Sequence, residues 1–259
     1  MRPWLLEELN FGVVRGSPRY GDVAVLPMGA TEPHNYHLPY GNDFLTTRKV
    51  AERVCEAAWQ RGAKVILLPT IPFGVDSNLL HFPLTIHVSL RALEAVLWDV
   101  VQSLERHQVF KLVLLNGHGG NELKPLLREW YGRTRVFITV VDWWKVGADQ
   151  YAGIFSKPDD HAGEMESSIA LALYPELVDM AKASDGATRQ ARFEAIQRGW
   201  AAITRPWHLL TESSGVGDPR GATREKGEKY LALVTDRLAR FLSELASAPM
   251  DESFPFWGE

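Results

Sequence analysis

Phe110-Lys111-Leu112-Val113-Leu114-Leu115 runs without interruption into Asn116-Gly117-His118-Gly119-Gly120-Asn121. An apolar run that stops at a glycine reads as a buried strand ending in a tight loop. Leu123 to Tyr131 then predicts a helix, and Arg135 to Val141 a further strand. Upstream, Val23-Ala24-Val25-Leu26-Pro27-Met28 ends at Gly29 in the same way, and Val65-Ile66-Leu67-Leu68 ends at Pro69. Between these two runs, Asp43 opens a helical stretch to about Gly62, with Val50, Val54, Ala57 and Ala58 near helical spacing. Ser89 suits an N-cap for a helix over Leu90 to Glu105. Strands separated by helices need crossovers that pack back on the sheet, so the class is α/β with a mainly parallel sheet covered on both faces. Ligands in such sheets bind beyond the carboxyl ends of the strands, where the His- and acid-rich loops of this chain fall.

Past Asp142 the pattern predicts a helix over Glu164 to Leu173, stopped by Pro175. The polar stretch Lys182 to Arg198 reads as another helix, Ser213 to Pro219 as a loop, and Thr223 to Ala246 as a long final helix. No repeat or composition shift marks a boundary, so residues 1–259 are expected to form one domain. Hydrophobic residues at 46% and charged residues at 23% are those of a globular protein. A net charge of -4, with no Lys/Arg-rich run, argues against a nucleic-acid partner. No apolar segment has the length of a signal peptide or membrane span, and a cytoplasmic location is expected. The single cysteine, Cys55, excludes an internal disulfide and a Cys-rich zinc site, and reads as a small core residue. The aromatic tail Phe254-Pro255-Phe256-Trp257 reads either as a contact surface or as a segment packed back on the domain.

Three separate loops carry hard or borderline metal ligands. The first holds Glu32-Pro33-His34, whose alternating positions in extended chain turn both side chains to one side, with Asp43 nine residues after His34. The second sets His118 between glycines. The third is His161-Ala162-Gly163-Glu164-Met165-Glu166. Carboxylate and imidazole suit Zn²⁺ or Mn²⁺, and a shared aspartate bridges ions ~3.5–4 Å apart in two-metal hydrolases. Such ions lower the pKa of bound water towards ~7, which supplies a nucleophile without Ser or Cys. Taken singly, each residue also has a plainer reading. Asp43 suits a helix N-cap, Glu32, His34 and His37 suit a surface, His118 suits a backbone partner, and Glu164 and Glu166 suit a first helical turn.

The motifs in combination are more specific. Leu26-Pro27-Met28-Gly29-Ala30-Thr31-Glu32-Pro33-His34, with His37-Leu38-Pro39 and Asn42-Asp43, closely resembles the opening motif of the creatininase (creatinine amidohydrolase) family. Asn116 to Asn121 is similar to its second motif. His161-Ala162-Gly163 with Glu166-Ser167-Ser168 resembles the third, and Gly217-Asp218-Pro219-Arg220 with Ala222-Thr223 and Lys226-Gly227 resembles a late one. The resemblance runs from about Val23 to Leu242. It implies a three-layer α/β/α fold, commonly assembled into hexamers, and a small-molecule substrate. It also implies two divalent ions, Zn²⁺ and/or Mn²⁺. Glu32, Asp43 and His118 would hold one, His34, Asp43 and Glu166 the other.

On this resemblance a hydroxide bridging the ions attacks the carbonyl of a small amide, cyclic amide or formamide, whose C–N bond then breaks. His161 lies beside the substrate to polarise its carbonyl or carry a proton, and Glu164 is the candidate auxiliary proton carrier. Relatives of this type include deformylases of pyrimidine precursors and a peptidase that matures a redox-cofactor precursor. A metallopeptidase acting on a small peptide precursor is therefore the alternative enzyme, and a non-catalytic protein with a structural metal site the alternative from another class.

Departures from the family pattern bear on the substrate. Creatininases carry Glu two residues after the second-motif histidine, where this chain has Gly120, so creatinine itself is not the expected substrate. Glu122, two positions on, is expected to face elsewhere. In the loop Gly74 to Pro83 the family often has histidine where Leu79 stands, and His81 either substitutes for it or only packs. Trp143-Trp144 supplies a pocket wall, with at least one ring in the core, and Arg220 and Lys226 suit structural salt links.

Overall fold

The computed structural model describes residues 1–17 and 20–258. Its sheet contains β1 (Val23–Met28), β2 (Val65–Leu67), β3 (Lys111–Asn116) and β4 (Phe137–Asp142), all parallel, in the order β2-β1-β3-β4. The register sets Met28 beside Asn116 and Asn116 beside Asp142, so three strands end at one level. The loops predicted to carry chemistry leave from that edge.

Strand periodicity sorts the side chains into two cores. Val23, Val25, Val113 and Leu115 face α1 (Asn42–Gln60), α4 (Glu164–Leu173) and α5 (Arg224–Ser247). Ala24, Leu26, Leu112 and Leu114 face α2 (Leu90–Arg106) and α3 (Lys124–Trp130). The expected α/β fold with helices on both faces is thus present. Each fully buried Leu or Val, such as Leu112 or Val50, contributes ~1.5–3 kcal/mol relative to exposure. Cys55 is fully buried among the α1 core residues, as expected. No helix among the described residues is long and apolar enough to cross a membrane.

Polar groups close the helix ends. The Ser89 hydroxyl accepts from the Ala92 amide at the start of α2, as an N-cap should. Lys111, buried in β3, donates from Nζ to the carbonyls of Leu245 and Ala248, both at 2.6 Å, and so satisfies the C-terminus of α5. Part of the aromatic tail packs back on the domain. Phe254 packs edge-on against Phe137 of β4, whereas Phe256 and Trp257 are exposed.

The stretch Lys182 to Arg198 is not one helix. A single 3₁₀ turn, Met180–Lys182, and one short helix, Glu194–Gln197, are separated by irregular chain. Ser184 bonds through both its amide and its hydroxyl to the Asn35 side chain, Gly186 takes a left-handed φ of 61°, and the Arg189 amide donates to Leu210. These local and long-range bonds compete successfully with a helical ladder.

Candidate metal centre

Asparagines hold the loop ends together. The Asn116 side chain bonds to both the amide and the carbonyl of His118, pinning the turn after β3. Asn121 donates to the Gly29 carbonyl and accepts from the Val75 amide, so the loops after β1, β2 and β3 are tied at one residue. The third-motif loop joins through paired backbone bonds between His161 and Val216 and through the Ser214 hydroxyl, which donates to the Pro33 carbonyl.

This frame brings Glu32, His34, Asp43, His118 and Glu166 together. Nε2 of His34 lies 2.8 Å from Asp43 Oδ1. Nδ1 of His118 lies 3.0 Å from Asp43 Oδ2 and 3.0 Å from Glu32 Oε1. The two oxygens of Asp43 therefore face two different histidines. Ligand atoms of His34, Asp43 and Glu166 all fall within 4.8 Å of one another, and those of Glu32, His34 and His161 do likewise. Asp43 does not cap α1, whose N-cap is Gly41 with no side-chain bond, and neither His34 nor His37 is at the surface.

The electrostatics of this cluster favour a cation. Burial pushes the Glu32 and Glu166 carboxyls well above the usual range, against the pull of His118 and His34 respectively. Burial also works against ionised Asp43, but His34 and His118 outweigh it and hold that carboxyl low. Among the described residues, Oε2 of Glu32 has no hydrogen-bond donor, and Asp43 Oδ2, though close to His118, is out of line for one. Leaving such oxygens buried and unpaired costs ~1–3 kcal/mol each, more for charged groups. A buried set of carboxylates and imidazoles with orphaned oxygens fits divalent ions of the Zn²⁺ or Mn²⁺ kind.

His161 lies against His34 and Trp207, with ring centroids at 4.2 and 4.9 Å. Its Nε2 is 3.0 Å from the Pro33 carbonyl, which can only accept, so Nε2 carries the proton and Nδ1 is left with a lone pair. Burial, with the neighbouring His34 charge, lowers this imidazole to about 3 and keeps it neutral.

Glu164 stands apart. Its carboxylate meets the Lys226 ammonium and accepts from both the amide and the hydroxyl of Ser156. It is buried rather than at the surface, and it does not line the cavity over the cluster. Burial opposes its ionisation, but these donors hold the carboxyl below its ordinary range. The structure thus places it in a salt link with Lys226, braced by Ser156. Glu164→Gln is expected to lower stability by about 1–3 kcal/mol through the lost charge-assisted bonds, while turnover changes only a few-fold. Denaturant titration beside steady-state kinetics would separate the two effects; a large fall in kcat with unchanged stability would return Glu164 to the chemistry.

The cavity measures about 1050 Å³ and opens to solvent. Glu32, Asp43, His118, His161 and Glu166 form part of its floor, and Trp144 stands in its wall while Trp143 is in the core. Glu122 does line the cavity, contrary to expectation, as an exposed wall residue. His81 is exposed and stacks on His208, and Leu79 is buried. Three cavity features went unread in the sequence: Arg205, Trp207 and, beneath the floor, Asp76. Asp76 is fully buried, and its ligand atoms group with those of Glu32 and His118. One signal was available, because Asp76 is the sole acid between Glu56 and Glu94 and follows a strand.

Comparison with known proteins finds relatives over most of the chain. The family model described as creatinine amidohydrolase matches residues 7–242. The chain is 31% identical to creatinine amidohydrolase of Pseudomonas putida, over 86% of this chain and 89% of that one. It is 29% identical to the mycofactocin precursor peptide peptidase of Mycobacterium ulcerans, over 92% of each. A crystal structure of a creatinine amidohydrolase homologue from Bacteroides fragilis superposes with a TM-score of 0.89 at 35% identity, covering 97% of this chain and all of the other. Motifs, fold and the buried cluster of acids and imidazoles converge on one conclusion: the chain belongs to the creatininase family of hydrolases.

Proposed function

We propose that this chain hydrolyses the C–N bond of a small amide, cyclic amide or formamide, using two divalent ions that share Asp43. The observation that carries the reading is the division of the Asp43 carboxylate, with Oδ1 towards His34 and Oδ2 towards His118. Glu166 would complete the His34 side and Glu32 the His118 side. When bound, such ions polarise a carbonyl and activate water at neutral pH.

The protein's own groups do the rest. Asn116, Asn121 and Ser214 hold the loops so that the ligand atoms stay convergent without large reorganisation. His161 has its Nε2–H committed to Pro33, so it acts first as a proton acceptor at Nδ1 and not by polarising a carbonyl. From Nδ1 it then passes the proton to a leaving nitrogen. Trp144 and Trp207 offer aromatic surface to a planar amide.

A peptide substrate is the second reading, favoured by the size of the cavity, which reaches the upper end of the ~300–1000 Å³ usual for small-ligand sites. A screen of metal-loaded protein against lactams, formamides and short peptides distinguishes the two. Turnover on a lactam or formamide above that on any peptide is the expected result, and cleavage confined to peptides would establish the second reading. No hydrolysis anywhere, with one saturated ion per chain, would leave a structural metal site.

A further inference from the structure

His118 has polar neighbours at both ends of its ring. Nδ1 faces Glu32 and Asp43, the two carboxylates with which it would share an ion. Nε2, at the far end, faces only acceptors: the Val75 carbonyl at 3.3 Å and Asp76 Oδ1 at 2.9 Å. A nitrogen surrounded by acceptors must carry the proton, which leaves the lone pair on Nδ1.

Asp76 is unusual for a carboxylate. It is fully buried, neither of its carboxylate oxygens has an aligned hydrogen-bond donor among the described residues, and Oδ1 lies 2.9 Å from Nε2 of the His118 ring. A buried carboxylate without donors is costly and persists where a neighbouring positive charge or polarised N–H compensates. Its position is also defined. The Asp76 amide donates to Nδ1 of His87, and the next amide back, that of Val75, is held by Asn121. Gly120 completes the arrangement from below. A Cβ there would lie 2.4 Å from His118 Nε2 and 2.3 Å from the Val75 carbonyl, so this ring orientation requires position 120 to have no side chain.

Building on the two-ion reading above, we infer that Asp76 is a positioning residue. Its charge, beside Nε2–H, fixes the tautomer and tilt of His118 and so presents Nδ1 to the ion shared with Glu32 and Asp43. Carboxylate–histidine–metal relays of this kind raise the basicity of the ligand, and their loss costs ~10–100-fold in metal affinity.

The test is Zn²⁺ titration of the full chain against a competing chromophoric chelator, together with long-range ¹H–¹⁵N NMR of His118 in the zinc-loaded protein. Asp76→Ala is expected to weaken one of the two ions ~10–100-fold and leave the other near its original affinity, with Asp76→Asn, which keeps an acceptor oxygen, falling between. The wild-type spectrum should show Nδ1 coordinated and Nε2 protonated, a readout that needs no variant to fold. Unchanged affinity in Asp76→Ala would overturn the inference. So would coordination through Nε2 in the wild type, which would make Asp76 a direct ligand. Wild-type protein that takes up no ions would instead sink the two-ion reading itself, so the two failures are distinct.

Discussion

Asp43→Asn is expected to reduce turnover by more than about 100-fold, above the loss typical of an outer-shell partner, and to lower metal content from two ions per chain to at most one. Asparagine preserves the volume of the side chain but offers a single acceptor oxygen. In this structure Oδ1 and Oδ2 of Asp43 stand 2.8 and 3.0 Å from imidazole nitrogens of different histidines, so the amide NH₂ must replace a ligand oxygen on one side or the other. Thorough chelation should inactivate the wild type equally, and Zn²⁺ or Mn²⁺ should restore the wild type but not the variant. Elemental analysis beside the kinetics would check both parts. A variant retaining two ions and full turnover would remove the shared aspartate from the mechanism.

Gly227→Ala should have the largest effect on stability, about 3 kcal/mol, with a melting temperature lower by about 6–12 °C. Gly227 lies in the first turns of α5 against α4, where an added Cβ would sit 2.0 Å from the Ser168 carbonyl oxygen and 2.5 Å from its carbon. Backbone cannot rotate away as a side chain does, so the two helices must separate. The strain would reach the cluster, because α4 carries Glu166 two residues before Ser168 and holds His37 through the Ser167 hydroxyl. Weaker metal binding is therefore expected along with the lower melting point. Calorimetry of the variant with and without Zn²⁺ measures both; a melting point within about 2 °C of wild type would show that the helices tolerate separation here.

Glu164 and Lys226 illustrate how the two motif-bearing segments cooperate. Both fall in stretches that resemble family motifs, and in the folded chain they meet as a salt link between α4 and α5 beneath the third-motif loop. Arg220 and Asp218 make a second link in the late motif. Part of each motif thus serves to brace the loop that presents His161.

The sequence by itself determined most of the elements and named the candidate ligands. Apolar runs ending at Gly29, Pro69 and Gly117 stop where the strands or their flanking residues stop, and Glu164–Leu173 is a helix over the predicted span. Period and punctuation are local properties, readable without knowing what lies opposite. Glu32, His34, Asp43, His118 and Glu166 were legible as candidates because ligand residue types stand just past strand ends or in the first turn of a helix, within motifs that resemble those of the family. The tertiary structure alone decided how these residues are used. Which oxygen of Asp43 faces which histidine, why Glu164 is drawn onto Lys226, and how Asp76 comes to lie behind His118 all depend on the packing of segments far apart in the chain. The same cause broke the expected helix over Lys182 to Arg198, where Asn35 and Leu210, remote in sequence, supply the bonds that a helix would have made for itself.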